Sequence, residues 1–240
     1  MKKNTINYKY VPEITDIRKL VEYGVTNYSE RKFVIYLDKD NKEITKTYGD
    51  IWLDVVAIGS FFLKHGFNGG VKIAILSESL HAYEWMMIFY ATLLTRNIAI
   101  PLDRELSAED LAEHVKKGEI DYIFHSDTYS GYAEVFKNTQ GIVVKNYFNF
   151  SNYADIVKEG REAYDGGFKA FDDVKIEPSD LATIVFTSGT TGKSKGVMLS
   201  HGNLASNVVA ACASMAGQNT VVFLPLNHTF SWISAIFSGF

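Results

Sequence analysis

The stretch "TIVFTSGTTGKSKGVMLSHGN", residues 183–203, decides the fold predicted for this chain. An apolar, β-branched run leads into a loop of threonine, serine, glycine and lysine, and a second apolar run follows. Gly189, Gly192 and Gly196 free the backbone to turn its N–H groups toward an anion. The hydroxyl groups add donors and the two lysines add positive charge. The stretch therefore predicts a loop that binds phosphate groups.

Short β-type runs upstream of the loop alternate with helical patterns. They cover residues 71–76, 97–102, 120–126 and 141–147, and a fifth run, residues 180–187, leads into the loop. Such alternation indicates parallel strands in a sheet covered by helices on both faces. Ligands of these sheets bind beyond the carboxyl ends of the strands, which is where the loop would lie. The predicted fold class is α/β, with mostly parallel sheets flanked by helices.

The other elements follow from apolar spacing and from capping residues. Thr47, Ser107 and Ser200 are predicted N-caps, because each precedes a helical pattern and carries a hydroxyl. The remaining predictions are a hairpin over 32–48, helices over 14–28, 47–66, 79–95, 108–118, 129–138, 153–162 and 202–216, a strand over 220–226 and a helix over 230–240.

Bulk composition excludes several classes of protein. The chain has 240 residues, of which 47% are hydrophobic and 22% are charged, so a sizeable core is expected and disorder is not. The net charge of −4 argues against nonspecific nucleic-acid binding, which requires a basic surface. The single cysteine, Cys212, excludes an intrachain disulfide and fits a reducing compartment.

The sequence carries no targeting or membrane signal. The N-terminal residues "MKKNTINYKYVPEI" lack the apolar core that follows the lysines of a signal peptide. No run reaches the roughly 18 apolar residues that a spanning helix requires. We therefore expect a soluble, cytoplasmic protein.

Charged residues are unevenly distributed along the chain. From Leu181 to Phe240 there is no aspartate or glutamate, and the only lysine or arginine residues are Lys193 and Lys195. A buried apolar half of a domain would explain most of this segment. A site for an anion would also explain it, because a nearby carboxylate would repel the ligand. The two explanations are compatible.

The Walker A loop is the first phosphate-binding motif to test. Gly192, Lys193 and Ser194 would supply its end, but the spacing G-x-x-x-x-G-K-[ST] then requires a glycine at the position of Thr187. A P-loop NTPase therefore stays only as an alternative. The G-x-G-x-x-G dinucleotide fingerprint is absent from the sequence as well.

The order of residue types in the loop resembles a known signature. Residues 184–195, "IVFTSGTTGKSK", resemble the phosphate-binding motif of the AMP-forming, adenylate-forming enzymes, which include acyl-CoA synthetases, luciferases and peptide-synthetase adenylation domains. Ser194 stands where many members carry proline. "FLPLNHTFSW", residues 223–232, resembles the family's next motif, and residues 47–103 resemble its N-terminal block. The resemblance covers roughly residues 47–240 and implies the acyl-CoA synthetase-like fold.

The resemblance implies an acid–thiol ligase. Members use ATP to activate a carboxylic acid as an acyl-adenylate, with Mg²⁺ sharing the phosphate charge, and a thiol, usually that of coenzyme A, then takes the acyl group. Lys193 and Lys195 would neutralise pyrophosphate, and His228 would lie where the nucleotide and acyl pockets meet. Lys195 and His228 are the expected catalytic residues. The cradle for the β- and γ-phosphates is expected to consist of Thr187, Ser188, Gly189, Thr190, Thr191 and Gly192.

The second motif bears on the choice of acid. Peptide-synthetase adenylation domains place an aspartate after its phenylalanine, whereas Phe230 is followed here by Ser231. An amino group would lack its counter-charge in this acid-free segment. The resemblance therefore favours a fatty acid, and an amino-acid adenylation domain stays an alternative.

The chain is about half the usual length of a family member. We expect residues 1–240 to be the N-terminal part of the adenylate-forming domain, without a C-terminal domain and inactive alone. Residues 47–170 would form a first α/β subdomain, and residues 171–240 would begin a second sheet that carries the loop. An apolar edge left by truncation would offer a surface for a homodimer. A nucleotide-binding module without catalysis and a purely structural domain stay as alternatives.

Overall fold

The structure, a computed structural model, describes residues 13–38, 40–187 and 194–215, and side chains as far as residue 210. Several predictions therefore lie outside the described residues, namely the strand over 220–226, the helix over 230–240, Cys212, His228 and the loop residues 188–193. None of the helices in the described ranges is long and apolar enough to cross a membrane.

The described residues form seven α-helices and eight β-strands, joined by turns and three short 3₁₀ segments. In chain order they are α1 (Ile17–Tyr28), β1 (Lys32–Leu37), β2 (Glu43–Thr47), α2 (Tyr48–Lys64), β3 (Lys72–Leu76), α3 (Ala82–Leu94), β4 (Ile98–Pro101), α4 (Ala108–Gly118), β5 (Tyr122–His125), α5 (Tyr132–Asn138), β6 (Asn146–Asn149), α6 (Tyr153–Asp165), β7 (Leu181–Thr187), β8 (Lys195–Ser200) and α7 (His201–Met215).

The three predicted N-caps are confirmed. Thr47 and Asp50 form a capping box at α2, in which each side chain accepts a hydrogen bond from the backbone N–H of the other residue. The hydrogen bond from the Thr47 backbone is the main reason that the pKa of Asp50 is lowered. Ser107 caps α4 through the Asp110 N–H. Ser200 accepts from the N–H of Asn203 at 3.2 Å at the start of α7.

One six-stranded sheet organises the chain, in the order β6-β5-β3-β4-β7-β8. The strands β3 to β7 pair in parallel, and β8 pairs with β7 in antiparallel orientation. One face of the sheet packs against α4 and α5, and the other packs against α1, α2, α3, α6 and α7. The predicted α/β class, with a mostly parallel sheet between helices, is confirmed.

Two details of the predicted sheet are wrong. The last strand of the first group covers residues 146–149 rather than 141–147, because the chain still turns at Gly141, whose φ is +85°, and Ile142 donates to the Thr139 carbonyl. The strands β7 and β8 do not begin a second sheet, because Thr183 of β7 pairs with Ala99 of β4 and extends the same sheet. The boundary at residue 170 and residues beyond 215 stay predictions.

The pairing between β4 and β7 ends early. Ala99 and Thr183 are the one registered pair, and the Thr183 hydroxyl donates to the Ala99 carbonyl at 2.7 Å. The N–H groups of Ile98 and Leu102 point to β3. By alternation, position 101 should donate toward β7, but it is Pro101, which has no N–H. The carboxyl half of β7 therefore lacks a backbone ladder to β4.

Glycine allows the closest approach between helices. A Cβ atom on Gly160 of α6 would lie 1.8 Å from the carbonyl oxygen of Ala57 in α2. No side chain fits there unless the two helices separate. The contact holds α6 against the helix layer on the α2 face of the sheet, which contains most of the buried core.

Candidate functional site

The carboxyl ends of β3 to β7 share one edge of the sheet because these strands are parallel. Polar side chains stand at this edge: Glu78 follows β3, Arg104 follows β4, Ser126 follows β5, and Asn149 and Thr187 end β6 and β7. This is the edge at which parallel α/β sheets bind ligands. The prediction that the strand before the loop delivers it to this edge is confirmed.

Side chains on the β6-β5-β3 side of this edge bond to one another. The hydroxyl groups of Ser126 and Thr128 both donate to the Glu78 carboxylate, the second at 3.2 Å. Burial is the largest single influence and raises the pKa of Glu78, but the two hydroxyl donors, a backbone hydrogen bond and His81 together outweigh it, so the pKa is lowered overall. Asn149 donates to Asp127 at 2.7 Å. These polar groups are therefore engaged in holding neighbouring strand ends together.

The end of the β7–β8 hairpin is different, because its polar groups are exposed. Thr187 and Lys195 face each other as the last registered pair of the two strands. The Ser194 hydroxyl donates to the Thr187 carbonyl at 3.2 Å and closes the pair from the loop side. Within the described ranges, neither the Thr187 hydroxyl nor the Lys195 ammonium has a hydrogen-bond or ion-pair partner. A hydroxyl and a cation are thus free to face an anion.

Of the predicted site residues, the structure brings Thr187 and Lys195 together across the hairpin. The rest of the cradle, Ser188 to Gly192, lies outside the described residues together with Lys193 and His228. The described pair fixes both ends of the intervening segment at the carboxyl edge of the sheet. The binding and catalytic roles of all these residues stay predictions.

Gly196 has a role that the sequence did not indicate. We expected it to free the backbone beside the anion, but it lies within β8 and pairs with Phe186 of β7. A Cβ atom at this position would lie 3.0 Å from a methyl group of Ile184 and 3.5 Å from the Phe186 ring. Gly196 therefore leaves room for the side chains of Ile184 and Phe186 on β7.

Neither His114 nor Phe186 was singled out by the sequence analysis. The two rings stack with centroids 4.2 Å apart and an angle of 5° between their planes. His114 lies on α4, on the same apolar face as Leu111 and Val115. Helical spacing could have placed His114 on that face, but no local signal shows that α4 crosses the end of β7.

His201 is buried at the first position of α7. Neither ring nitrogen has a hydrogen-bond partner among the described residues. Burial lowers the pKa of His201 to about 4, although Asp16 and Asp180 oppose the effect. The ring is therefore neutral at neutral pH.

A shallow cavity of about 220 Å³ lies at the opposite, amino edge of the sheet. Its charged groups pair with each other, since Arg96 lies 3.1 Å from the Asp180 carboxylate. The cavity is remote from the carboxyl ends of the strands. The end of the β7–β8 hairpin is therefore the better candidate for a ligand site.

Comparison with known proteins matches a family over most of the chain. Residues 21–240 match the family described as AMP-binding enzyme. Long chain acyl-CoA synthetase 7, peroxisomal, of Arabidopsis thaliana is 26% identical over 91% of this chain and 34% of its own length. Long-chain-fatty-acid–CoA ligase 1 of Cavia porcellus is 28% identical over 72% of this chain and 28% of its own length.

A solved structure confirms the fold. The Mycobacterium tuberculosis fatty acyl CoA synthetase superposes with a TM-score of 0.72 and 18% identity, covering 94% of this chain and 43% of that one. The chain thus spans about a third of the length of the curated relatives it matches. The cytoplasmic location stays a prediction, since the first of these relatives is named as peroxisomal.

Proposed function

The chain belongs to the AMP-binding enzyme family, and from this premise we propose that it supplies the phosphate-binding part of a ligase that activates a fatty acid with ATP. The single observation that carries the proposal is the end of the β7–β8 hairpin. It places an exposed hydroxyl and an exposed ammonium at the carboxyl edge of the sheet, on either side of the sequence S-G-T-T-G-K-S.

The donor set fits a polyphosphate. Hydroxyls, lysines and glycine N–H groups all donate to anionic oxygens, and no carboxylate occurs from residue 181 onward. Within the described ranges no group of three or more histidine, cysteine, aspartate or glutamate residues could hold a metal ion. Mg²⁺ would arrive with the nucleotide, held by phosphate oxygens and water, and would share the phosphate charge.

The reaction proceeds in two steps. A carboxylate oxygen of the acid attacks the α-phosphorus of ATP, and the bond to the bridging oxygen of pyrophosphate breaks. Thr187 and the residues that follow it hold the β- and γ-phosphates, while Lys193 and Lys195 neutralise the charge that develops on the leaving group. The thiol of coenzyme A then attacks the acyl carbon, and AMP leaves. His228 is assigned to the border of the nucleotide and acyl pockets.

Long fatty acids are the proposed substrates. Two relatives have names that specify long-chain substrates: one is called a long chain acyl-CoA synthetase, and the other a long-chain-fatty-acid–CoA ligase. Ser231 after Phe230 supplies no counter-charge for an amino group, in a segment that contains no acidic residue. These two observations favour a fatty acid over an amino acid.

Pyrophosphate–ATP exchange tests the first step without the thiol. The protein at its full genomic length is assayed with palmitate, acetate and a set of amino acids, each at matched concentration. We expect palmitate to give the highest exchange rate. Faster exchange with amino acids would contradict the substrate, and ATP binding without exchange for any acid would favour the nucleotide-binding module.

Hydrogen exchange tests the site itself on the 240-residue chain. A few charge-assisted bonds to phosphate give a net binding energy of about 4 kcal/mol, which corresponds to about millimolar affinity. ATP at several millimolar should therefore protect the amides of residues 187–195. Absence of protection at every amide would favour the purely structural domain, protection only outside this segment would contradict the proposed site, and micromolar affinity would contradict the estimate.

A further inference from the structure

On the side that faces β4, the end of β7 contacts a side chain instead of pairing with a strand. Because Pro101 offers no N–H, backbone pairing between β4 and β7 stops at Ala99 and Thr183. The four residues of β7 after Thr183, residues 184–187, still have to be positioned before the chain enters the loop. On the far side of β7 only β8 pairs with them, and the first four residues of β8 are exposed.

A contact on the side of this end that lacks strand pairing comes from α4. The ring of His114 lies parallel to that of Phe186 at a centroid separation of 4.2 Å. His114 is 7% exposed and is fixed among apolar residues of α4 and the sheet. Phe186 immediately precedes Thr187, so the stack fixes the last residue before the exposed pair.

The same ring also reaches the strand on the other side of the loop. Phe186 pairs with Gly196, and a Cβ atom on Gly196 would lie 3.5 and 3.8 Å from two of its ring carbons. Gly196 immediately follows Lys195. A single aromatic ring, stacked on α4, therefore contacts the base of both strands that flank residues 188–194.

We propose that His114 is a positioning residue for the phosphate loop: stacked on Phe186, whose ring lies beside Gly196, it holds the two ends of the loop in register. The proposal rests on the proposed function for its ligand, ATP, but its structural half concerns the loop alone. A neutral ring suits the stack, and burial lowers the pKa of His114. The charged groups near it are Lys117, Glu113 and Asp110 on α4 and Asp103 after β4.

Two substitutions separate positioning from packing. His114→Phe keeps a flat ring for the stack. His114→Leu keeps an apolar side chain in the same buried place but loses the stack. The Nδ1 atom of His114 has no hydrogen-bond partner among the described residues, so neither change leaves a buried polar group unpaired. The thermal midpoint is therefore expected to stay within about 2 °C of the parent protein for both variants.

Hydrogen exchange without nucleotide is the first readout, measured on the 240-residue chain over residues 184–197. We expect His114→Leu to speed exchange in this segment by about fivefold, the loss typical of an aromatic pair, and His114→Phe to stay within about twofold. Unchanged exchange in His114→Leu would overturn the proposal. Equal acceleration in both variants would overturn it too, because the flat ring would then not matter.

ATP affinity is the second readout, measured by titration of the same variants. The dissociation constant should rise about fivefold in His114→Leu and stay within about twofold in His114→Phe. If the parent chain does not bind ATP, the proposed function fails while the exchange result still decides the role of His114. If the parent binds ATP and His114→Leu binds it equally well, the positioning role fails alone.

Gly196→Ala supplies an independent check, because its methyl group would press on Ile184 and Phe186 from the β8 side. We expect it to speed exchange in the same segment. Combined with His114→Leu it should add less than the sum of the two single effects, since both act through the Phe186 ring. If the effects of His114→Leu and Gly196→Ala on the logarithm of the exchange rate were fully additive, the two residues would act separately. That result would contradict a shared action through the Phe186 ring.

Discussion

The buried layer of the sheet and the hairpin at its edge use the same residue types in opposite ways. Gly160 lets α2 and α6 touch backbone to backbone, whereas Gly196 lets a phenylalanine ring cover an edge strand. Met87 in α3 is completely buried, whereas Met198 in β8 is 65% exposed. The role of a residue type here is set by its place in the sheet, so its substitutions should have different consequences in the two regions.

Lysine shows the same contrast. Lys46 lies 3.3 Å from the partly buried Asp54 carboxylate, which Arg161 also contacts at 3.2 Å and to which the Tyr83 hydroxyl donates at 2.6 Å. Lys195 has no such partner in the described part of the chain. A lysine that forms an ion pair with a carboxylate stabilises the packing around it. A lysine without such a partner, at the carboxyl edge of the sheet, is available to bind an anionic ligand. Four experiments test this contrast between the buried layer of the sheet and the hairpin at its edge.

The largest expected effect is on stability and comes from Gly160→Ala. The added methyl group would overlap the Ala57 carbonyl, so α2 and α6 must separate. We expect a loss of about 3 kcal/mol in the free energy of unfolding, measured by urea denaturation. Gly131→Ala is the matched control, since a Cβ atom there meets nothing within 4 Å, and it should cost less than about 0.5 kcal/mol. Equal costs for both variants would contradict the close helix contact.

The next effect is on catalysis and leaves stability unchanged. Lys195→Met removes the exposed cation at the hairpin end, and we expect pyrophosphate–ATP exchange by the protein at its full genomic length to fall about 100-fold. The urea midpoint should not move, because the side chain is exposed. Lys158→Met is the control, since Lys158 is an exposed lysine of α6 without a charged partner in the described part of the chain. A comparable loss in both variants would count against a specific role for Lys195.

Local chemistry in the sequence predicted the parts of the fold that local interactions decide. Thr47, Ser107 and Ser200 were placed correctly because an N-cap depends on residues within one turn. Four of the five parallel strands were located because each is a compact apolar run. The run over 141–147 was misplaced, because Ile142, Val143 and Val144 have β-type side chains but follow a glycine that turns the chain.

Features that depend on neighbours far along the chain could not be predicted. The identity of Pro101 is visible in the sequence, but its effect requires knowing that β7 lies on that side of β4. The His114–Phe186 stack likewise requires the position of α4 over the sheet. At the candidate site, the motif predicted which residues gather, and only the strand register placed Thr187 opposite Lys195.

A smaller effect appears with pH at the junction of β8 and α7, between the two regions. Burial lowers the pKa of His201 to about 4 in the folded chain, whereas an ordinary histidine in the unfolded chain has a pKa near 6.5. As the pH falls below about 6.5, the unfolded chain therefore binds a proton at this residue before the folded chain does. The free energy of unfolding should therefore fall as the pH drops, by about 2 kcal/mol between pH 7 and pH 5 from this group.

Substitution isolates the contribution of His201. His201→Leu should reduce the loss of stability between pH 7 and pH 5 by about 2 kcal/mol, measured by urea denaturation at each pH. His65→Gln changes a partly exposed histidine and should leave most of the loss in place. An identical pH dependence in His201→Leu and the parent protein would show that the buried ring does not control it.

The smallest effect is expected at the edge strand β8, where Met198→Ala tests whether the face of the hairpin that carries Met198 is exposed to solvent. Met87→Ala removes the same atoms from a fully buried site and should cost about 3 kcal/mol. Met198→Ala should cost less than about 0.5 kcal/mol, because its side chain is largely in contact with water. A cost above about 1 kcal/mol would mean that something covers this face in solution. Sedimentation of the parent and the variant would then show whether the cover is a second copy of the chain, as expected for a dimer through an apolar edge.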